Sequence, residues 1–130
     1  MAKLVLCHGV FDLLHVGHLE HLRHAKDMGD YLLVSVVPDR YITKRKPIYD
    51  QKARVALLNA LRCVDRVVLC AAPGPEKVIR QYHPDVYVRG PDYRGKVMPE
   101  SELLKELGIP VHFTKEFDDR TSKVLARIGA

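Results

Sequence analysis

The sequence predicts an α/β fold, in which parallel strands form one sheet and helices cover both of its faces. Short apolar runs of strand length alternate with segments whose apolar residues recur at helical spacing, a pattern typical of βαβ units. Glycine or proline ends several of these segments, and neither a repeat nor a linker rich in small residues divides the chain. The length of 130 residues suits one domain. We therefore expect a single doubly wound, Rossmann-like sheet of five strands over residues 1–130.

The predicted strands are apolar runs rich in β-branched side chains, as expected for strands that are covered on both faces. In chain order they are KLVLCH (3–8), DYLLVSVV (30–37), VDRVVLC (64–70), DVYVR (85–89) and PVHFT (110–114). Pro38 ends the second strand, and the turn AAPGP follows the third.

The predicted helices fill the segments between the strands. They are HLEHLRHAKDMG (18–29), residues 50–61, EKVIRQY (76–82), ESELLKELG (100–108) and TSKVLARIG (121–129). In the first of them Leu19, Leu22 and Ala25 lie at helical spacing, and Gly29 provides a stop.

Composition and charge narrow the function classes. The chain is 47% hydrophobic and 28% charged, which is ordinary for a globular domain. Its apolar runs are too short to span a bilayer, and its three cysteines form no CxxC pair, so we expect a cytoplasmic protein without a disulfide framework or a membrane partner. The net charge of +5 favours polyanionic partners such as nucleic acid or phosphorylated small molecules, unless it serves solubility alone.

The loops that follow the strands should hold the binding site. In an open parallel sheet the ligand lies beyond the carboxyl ends of the strands, where the strand order reverses. These loops are residues 8–17, 38–50, 71–75, 89–97 and 114–121, and all but 71–75 carry charged, glycine or histidine residues.

The first of these loops carries an unusual density of histidines. Gly9 allows a turn and a close approach of the backbone to a ligand. Gly17 precedes the first helix, whose uncovered N–H groups and dipole favour an anion. His15 and His18 bracket Gly17 and can donate to phosphate oxygens, so we predict an anion cradle there.

Other residues of this segment have competing interpretations. His21 and His24 continue the spacing onto what we expect to be the solvent face of the helix. A zinc site made of histidines is the less favoured alternative. His8 either lines the pocket or simply ends the strand. Asp12 either holds Mg²⁺, orients His15 or caps the turn through backbone N–H groups, and the capping role is favoured.

The segment GVFDLLHVGH (9–18) resembles the GxFDxxHxGH signature of the cytidylyltransferase-like nucleotidyltransferases. Glycerol-3-phosphate cytidylyltransferase and the heptose-1-phosphate adenylyltransferase domain are members of this family. The ten-residue pattern is specific, and the resemblance continues through most of the chain. The further matching stretches are GDYL (29–32), PDR (38–40), CVD (63–65), PDVYV (84–88) and GPDY (90–93).

The resemblance implies a single nucleotidyltransferase domain that transfers a nucleoside monophosphate from CTP or ATP to a phosphorylated acceptor. CTP with an acceptor such as glycerol 3-phosphate is favoured, and ATP with a sugar 1-phosphate of the heptose type is the alternative. Mg²⁺ and a homodimer are expected. Outside the enzyme class, a nucleic-acid-binding module and a non-catalytic nucleotide sensor remain alternatives; we expect no nucleic-acid partner, because the chain lacks the usual nucleic-acid-binding motifs.

The resemblance also assigns roles to residues. The implied catalytic residues are His15, His18, Lys44 and Lys46. The implied nucleotide-binding residues are Gly9, Val10, Phe11, Gly17, Arg54, Gly90, Asp92, Tyr93, Lys115, Arg120, Thr121 and Ser122.

Several of these assignments have ordinary structural alternatives. The lysines could belong to a solvated charge run, Arg54 to a surface salt bridge, residues 90–93 to a turn, and Thr121 to a helix cap. Phe11 could pack in the core. Arg120 stands where the family usually has a hydroxyl residue, which puts the contacts of the last helix start in doubt.

Overall fold

The computed structural model describes residues 2–115, and all nine strands and helices predicted in that range are present. The strands are β1 (Leu4–Gly9), β2 (Tyr31–Val36), β3 (Arg66–Leu69), β4 (Val86–Arg89) and β5 (Val111–Phe113). The helices are α1 (Val16–Asp27), α2 (Gln51–Asn59), α3 (Glu76–Tyr82) and α4 (Ser101–Leu107). The predicted last helix, 121–129, lies outside the described residues.

The five strands form one parallel sheet in the order β3-β2-β1-β4-β5, which confirms the predicted fold class. The central strand β1 pairs on both sides, so that Leu6 lies opposite Leu33 of β2 and opposite Tyr87 of β4. The chain adds strands on one side of β1 first and then returns to build the other side. The strand order therefore reverses between β1 and β4, and a binding site is expected at their carboxyl ends.

Alternate side chains of the strands build two cores, one on each face of the sheet. Val5 and Cys7 of β1 pack with Leu22 of α1 and Leu58 of α2. The intervening Leu6 packs on the opposite face with residues of α3 and α4. The two pairs of helices therefore cover opposite faces, as predicted. Within residues 2–115, none of these helices is long and apolar enough to cross a membrane.

The helix boundaries differ from the predicted ones by one or two residues, and the reason is local capping. Helix α1 begins at Val16, ahead of the predicted residue 18, because the side chain of His15 caps it. Helix α2 begins after Asp50, whose carboxylate accepts from the backbone N–H of Ala53 at 2.8 Å. Helix α4 ends where Gly108 adopts a φ of 68°, a left-handed conformation that glycine accommodates at little cost.

Candidate active site at the carboxyl ends of β1 and β4

A cavity of about 440 Å³ opens where the strand order reverses. Its walls come from the end of β1 with the start of α1, from the end of β4 with the loop after it, and from the residues that follow β5. The lining residues are His8, Gly9, Val10, Phe11, His15, Gly17, His18, His21, Arg89, Gly90, Pro91, Asp92, Tyr93, Thr114 and Lys115. Three of the five loops selected from the sequence thus meet here, whereas 38–50 and 71–75 contribute no lining residue.

Two histidines in the first turn of α1 hold each other in fixed orientations. The backbone N–H of Gly17 donates to Nδ1 of His15 at 2.9 Å, and the backbone N–H of His15 donates to Nδ1 of His18 at 3.2 Å. Their ring centroids are 4.0 Å apart. Because each Nδ1 accepts a hydrogen bond, the proton of each neutral ring is on Nε2. Both rings therefore offer an N–H donor at a position fixed by the helix start.

The role of Gly17 differs from the one the sequence suggested. Its N–H was expected to be open to an anion, but it is occupied by the imidazole of His15. A Cβ on residue 17 would lie 2.7 Å from Cε1 of the same ring, so only glycine lets the imidazole pack against the helix start. The anion cradle stays a prediction, and its donors at this position would be imidazole N–H groups whose rings are oriented by backbone N–H groups.

His21 is not on the solvent face, so that prediction is wrong. It lines the cavity, and its Nδ1 lies 2.7 Å from Oγ1 of Thr114, which follows β5. Burial and the nearby charge of Arg89 lower the pKa of His21 to about 4. The sequence pattern failed here because Thr114, which directly follows β5, contacts this part of the helix. His24, one turn further along, is exposed as expected.

His8 combines the two roles that the sequence left open: it belongs to the end of β1 and it lines the cavity. Its Nδ1 lies 3.0 Å from Oγ of the buried Ser35 on β2. Burial and Arg89 lower the pKa of His8 to about 4, so its ring is neutral at physiological pH. A neutral imidazole contributes hydrogen bonds to the cavity wall and no charge.

Arg89 is a functional candidate that the sequence reasoning did not select. It ends β4, lines the cavity and is only 8% exposed. Its Nη1 donates to the carbonyl oxygen of His8 at 2.8 Å, and its guanidinium lies 3.8 Å from the centroid of the Tyr93 ring. A charged residue at the carboxyl end of a strand buried on both faces was the available signal, because such a charge requires a partner or a ligand.

Asp12 connects the loop before α2 to the loop after β1 through hydrogen bonds and an ion pair. Its carboxylate accepts from the backbone N–H groups of Ile48 (2.7 Å) and Tyr49 (3.2 Å) and forms an ion pair with Arg45 at 3.0 Å. Burial acts to raise the pKa of Asp12, but these donors outweigh it and hold the pKa below its ordinary value. Asp12 therefore accepts from backbone N–H groups, as the capping interpretation expected, but these groups belong to another loop and not to its own turn.

Three of the basic residues assigned to the site by resemblance do not line the cavity. Lys44 and Lys46 flank Arg45 and are exposed. Arg54 is not in a surface salt bridge: it is 1% exposed and donates to the carbonyl oxygens of Val10 and Val37 and to the carboxylate of Asp39 at 2.6 Å. Its contact with Val10 supports the backbone of the loop after β1.

The remaining predicted site residues divide between the cavity and the end of the chain. Phe11 lines the cavity and also packs in the core, and its ring meets that of His18 with centroids 5.6 Å apart. An added Cβ at Gly90 would meet no atom within 4 Å, so the space beside it is open. Gly9, Val10, Asp92, Tyr93 and Lys115 also line the cavity. Arg120, Thr121 and Ser122 lie outside the described residues.

The histidine, cysteine and carboxylate side chains of the described residues do not form a metal centre. Across residues 2–115, no group of three or more histidine, cysteine or carboxylate side chains is arranged to hold a metal ion. Both oxygens of Asp12 already accept hydrogen bonds, and its side chain is inaccessible to solvent, so Asp12 does not fit a Mg²⁺ ligand. The expected Mg²⁺ therefore stays a prediction.

Comparison with known proteins identifies the family. The model of the cytidylyltransferase-like family matches residues 6–121. The chain belongs to this family. Membership confirms the resemblance carried by residues 9–18 and the prediction of a nucleotidyltransferase, while the nucleotide and the acceptor are matters for proposal.

The similar proteins agree with this assignment. The bifunctional protein HldE of Streptomyces coelicolor is 39% identical over 94% of this chain, and HldE of Helicobacter pylori strain J99 is 38% identical over 97% of it. The chain spans only 27% of the length of each of these relatives. Among solved structures, a lipopolysaccharide core biosynthesis protein from Thermoplasma volcanium has a TM-score of 0.77 and 29% identity, over 91% of this chain and 100% of that one.

Proposed function

We propose that this chain transfers a nucleoside monophosphate from a nucleoside triphosphate to a small phosphorylated acceptor and releases pyrophosphate. An oxygen of the acceptor's phosphate attacks the α-phosphorus and forms a new P–O bond. The bond from the α-phosphorus to the bridging oxygen breaks, and its electron pair leaves on pyrophosphate. The observation that carries the proposal is the pair of oriented imidazoles at the reversal of strand order.

His15 and His18 are the proposed catalytic donors. Their Nε2–H groups are positioned before substrate arrives, so little reorganisation is needed when negative charge grows on the oxygens of the α-phosphate. The positive end of the α1 dipole adds to this stabilisation. The acceptor supplies the nucleophile, and the protein's contribution is orientation and electrostatic stabilisation.

The proposal also assigns the contacts with the nucleotide and the roles of the basic residues. We assign the contacts with the nucleotide to the predicted residues that line the cavity, and we assign Lys44 and Lys46 to the phosphates, reached by movement of an exposed loop. Arg54 is a positioning residue, because its donors are used by the backbone near Val10 and by Asp39. Mg²⁺, where present, would be bound through the phosphates of the nucleotide.

The acceptor is better matched by a sugar 1-phosphate than by glycerol 3-phosphate. The sequence favoured CTP and glycerol 3-phosphate, with the heptose type as the alternative. The similar Thermoplasma volcanium structure is named for the biosynthesis of a lipopolysaccharide core, which is a sugar polymer. That similarity and the relatives named HldE support the alternative, with ATP as the nucleotide.

The deciding experiment is pyrophosphate release with each of ATP, CTP, GTP and UTP, combined with glycerol 3-phosphate and with several sugar 1-phosphates. We expect turnover that requires an acceptor and is fastest with ATP and a sugar 1-phosphate. Fastest turnover with CTP and glycerol 3-phosphate would restore the first choice of substrates. Salt-dependent binding of RNA or DNA without turnover of any pair would favour a nucleic-acid-binding module, and nucleotide binding alone would favour a sensor.

A further inference from the structure

Arg89 carries a buried charge that no carboxylate of the described residues balances directly. Between residues 2 and 115, none of the ion pairs includes Arg89, and its Nε is a buried donor without a hydrogen-bond partner. Its Nη1 also lies 3.4 Å from the hydroxyl of Tyr87, which donates to Glu100 at 2.5 Å. The carboxylate of Glu100 is therefore connected to Arg89 only through the hydroxyl of Tyr87. A buried guanidinium in this state favours an anion from outside the protein.

The surroundings of Arg89 hold its guanidinium in one position at the cavity wall. The ring of Tyr93 lies against the guanidinium, and the backbone carbonyl of His8 accepts from Nη1. The carbonyl oxygen of Arg89 accepts from the backbone N–H of Thr114 at 3.0 Å, which ties the loop after β5 to the end of β4. Arg89 and Thr114 are thereby kept side by side, and both line the cavity.

The pair formed by His21 and Thr114 adds a hydrogen-bond donor in either tautomer of the ring. If the Thr114 hydroxyl donates to Nδ1 of His21, Nε2 of the ring carries a proton. If Nδ1 donates instead, the Thr114 hydroxyl keeps its own proton for another acceptor. The low pKa of His21 keeps the ring neutral, so this description holds at physiological pH.

We propose that Arg89, His21 and Thr114 form a second phosphate subsite, which takes the phosphate group of the acceptor. The inference rests on the proposed function and adds the residues that recognise the acceptor. His21 follows His18 by three residues on α1, so the two sites are separated by about 4.5 Å along the helix. The reaction requires the two sites to be adjacent, because the attacking oxygen of the acceptor's phosphate must approach the α-phosphorus of the nucleotide.

The first test needs no turnover. The ring signals of His21 are followed by NMR while inorganic phosphate or glucose 1-phosphate is added, first to the protein alone and then to the protein saturated with ATP or CTP. We expect the His21 signals to shift in both cases, and we expect the shift to be lost in Arg89→Met. If either nucleotide abolishes the response to phosphate, the subsite belongs to the triphosphate and the proposal is wrong. A response that survives Arg89→Met also overturns it.

The second test uses a milder change, since Arg89→Met alters a buried network. Thr114→Val keeps the size of the side chain and removes its hydroxyl, while Thr114→Ser keeps the hydroxyl. With the substrates found active, Thr114→Val should raise the KM for the acceptor about ten-fold, the usual cost of a lost hydrogen bond to a charged group. The KM for the nucleotide should stay within about two-fold, and Thr114→Ser, which retains the hydroxyl, should avoid most of the rise in the KM for the acceptor. His24→Ala, outside the subsite, should resemble the wild type.

The outcomes separate this inference from the proposed function. Absence of pyrophosphate release with every substrate pair contradicts the proposed function, while the His21 signals still report whether phosphate binds. Normal turnover with an unchanged acceptor KM in Thr114→Val contradicts the subsite alone. A rise confined to the KM for the nucleotide contradicts it as well.

Discussion

At the scale of single residues, the site depends on which nitrogen of each imidazole carries a proton. The capping hydrogen bonds to Nδ1 of His15 and His18 place both protons on Nε2, facing away from the helix backbone. Helix capping uses the Nδ1 side of each ring, and the proposed phosphate contact uses the opposite, Nε2 side. A substitution can separate the two roles if it keeps the acceptor of the helix cap and leaves no N–H donor at the position of Nε2.

His18→Asn is that substitution, because Oδ1 of asparagine can accept from the backbone N–H of His15 in place of Nδ1, while its shorter amide has no N–H at the position of Nε2. We expect the turnover number to fall about 100-fold or more in both His18→Asn and His18→Ala, the usual cost of one transition-state donor. The free energy of unfolding should fall by about 1 kcal/mol in His18→Ala and by less in His18→Asn. Urea denaturation measures the free energy of unfolding, and His24→Ala is the control. Near-normal turnover in His18→Asn would remove the catalytic role.

The second prediction concerns how stability depends on pH, and it follows from the two cavity histidines whose pKa is lowered. His8 and His21 have a pKa of about 4 when folded and about 6.5 when unfolded. Between these values the unfolded chain binds more protons, so stability rises with pH there and is lost as the pH falls from about 6.5 to 4. Each histidine contributes up to about 3 kcal/mol to this loss. Unfolding measured across this range should show a smaller slope in His21→Leu, whereas His112→Gln, an exposed histidine, should keep the wild-type slope.

Sequence alone located His15 and His18 because their positions belong to a specific ten-residue pattern. It did not locate Arg89 or the contact of His21 with Thr114, because these depend on what lies beside them after folding. Helical spacing shows which residues share a face of α1 but not what covers that face. The residue that contacts His21 is Thr114, which follows β5 and is 93 residues away from His21 in the chain.

At the scale of elements, the sequence predicted every described α-helix and strand, and the errors lie at the ends and in the loops. Apolar periodicity identifies the body of α1, but its first residue depends on the His15 cap. The loop 38–50 was expected over the cavity, yet it is fastened to the loop after β1 by Asp12. An attachment between two loops leaves no periodic signal, so it could not be predicted from spacing.

Removing that attachment should loosen the loop that carries Lys44 and Lys46. In Asp12→Ala the backbone N–H groups of Ile48 and Tyr49 lose their acceptor, which costs about 1–3 kcal/mol of stability. Amide hydrogen exchange at residues 48 and 49 should become faster, and the KM for the nucleotide should rise. Glu20→Ala removes only an exposed ion pair with Arg23 and should change neither. Unchanged exchange at both amides would contradict the attachment.

At the scale of the whole molecule, the cavity exists because the strand order reverses between β1 and β4. Alternating strands and helices predict a parallel sheet, but many strand orders are compatible with them, and the sequence pattern did not specify the order that the structure shows. The reversal leaves the loops after β1 and β4 diverging above the sheet, which opens the space that the lining residues enclose. Binding in this space should therefore stabilise the fold as a whole.

Gly90→Val tests whether the nucleotide occupies this space. An added Cβ meets no atom within 4 Å, and the φ of −73° suits any residue, so the melting temperature of the free protein should hardly change. A nucleotide at 100 times its Kd should stabilise the wild type by about 2.7 kcal/mol, which thermal unfolding detects as a raised Tm. The valine side chain projects into the open space beside the cavity, so the rise in Tm should shrink or vanish. Ala2→Val adds bulk at an exposed position before β1, at the amino ends of the strands and away from the cavity, and should keep the full rise. An undiminished rise in Gly90→Val would mean that the nucleotide binds elsewhere, because the valine side chain would clash with a ligand bound between β1 and β4.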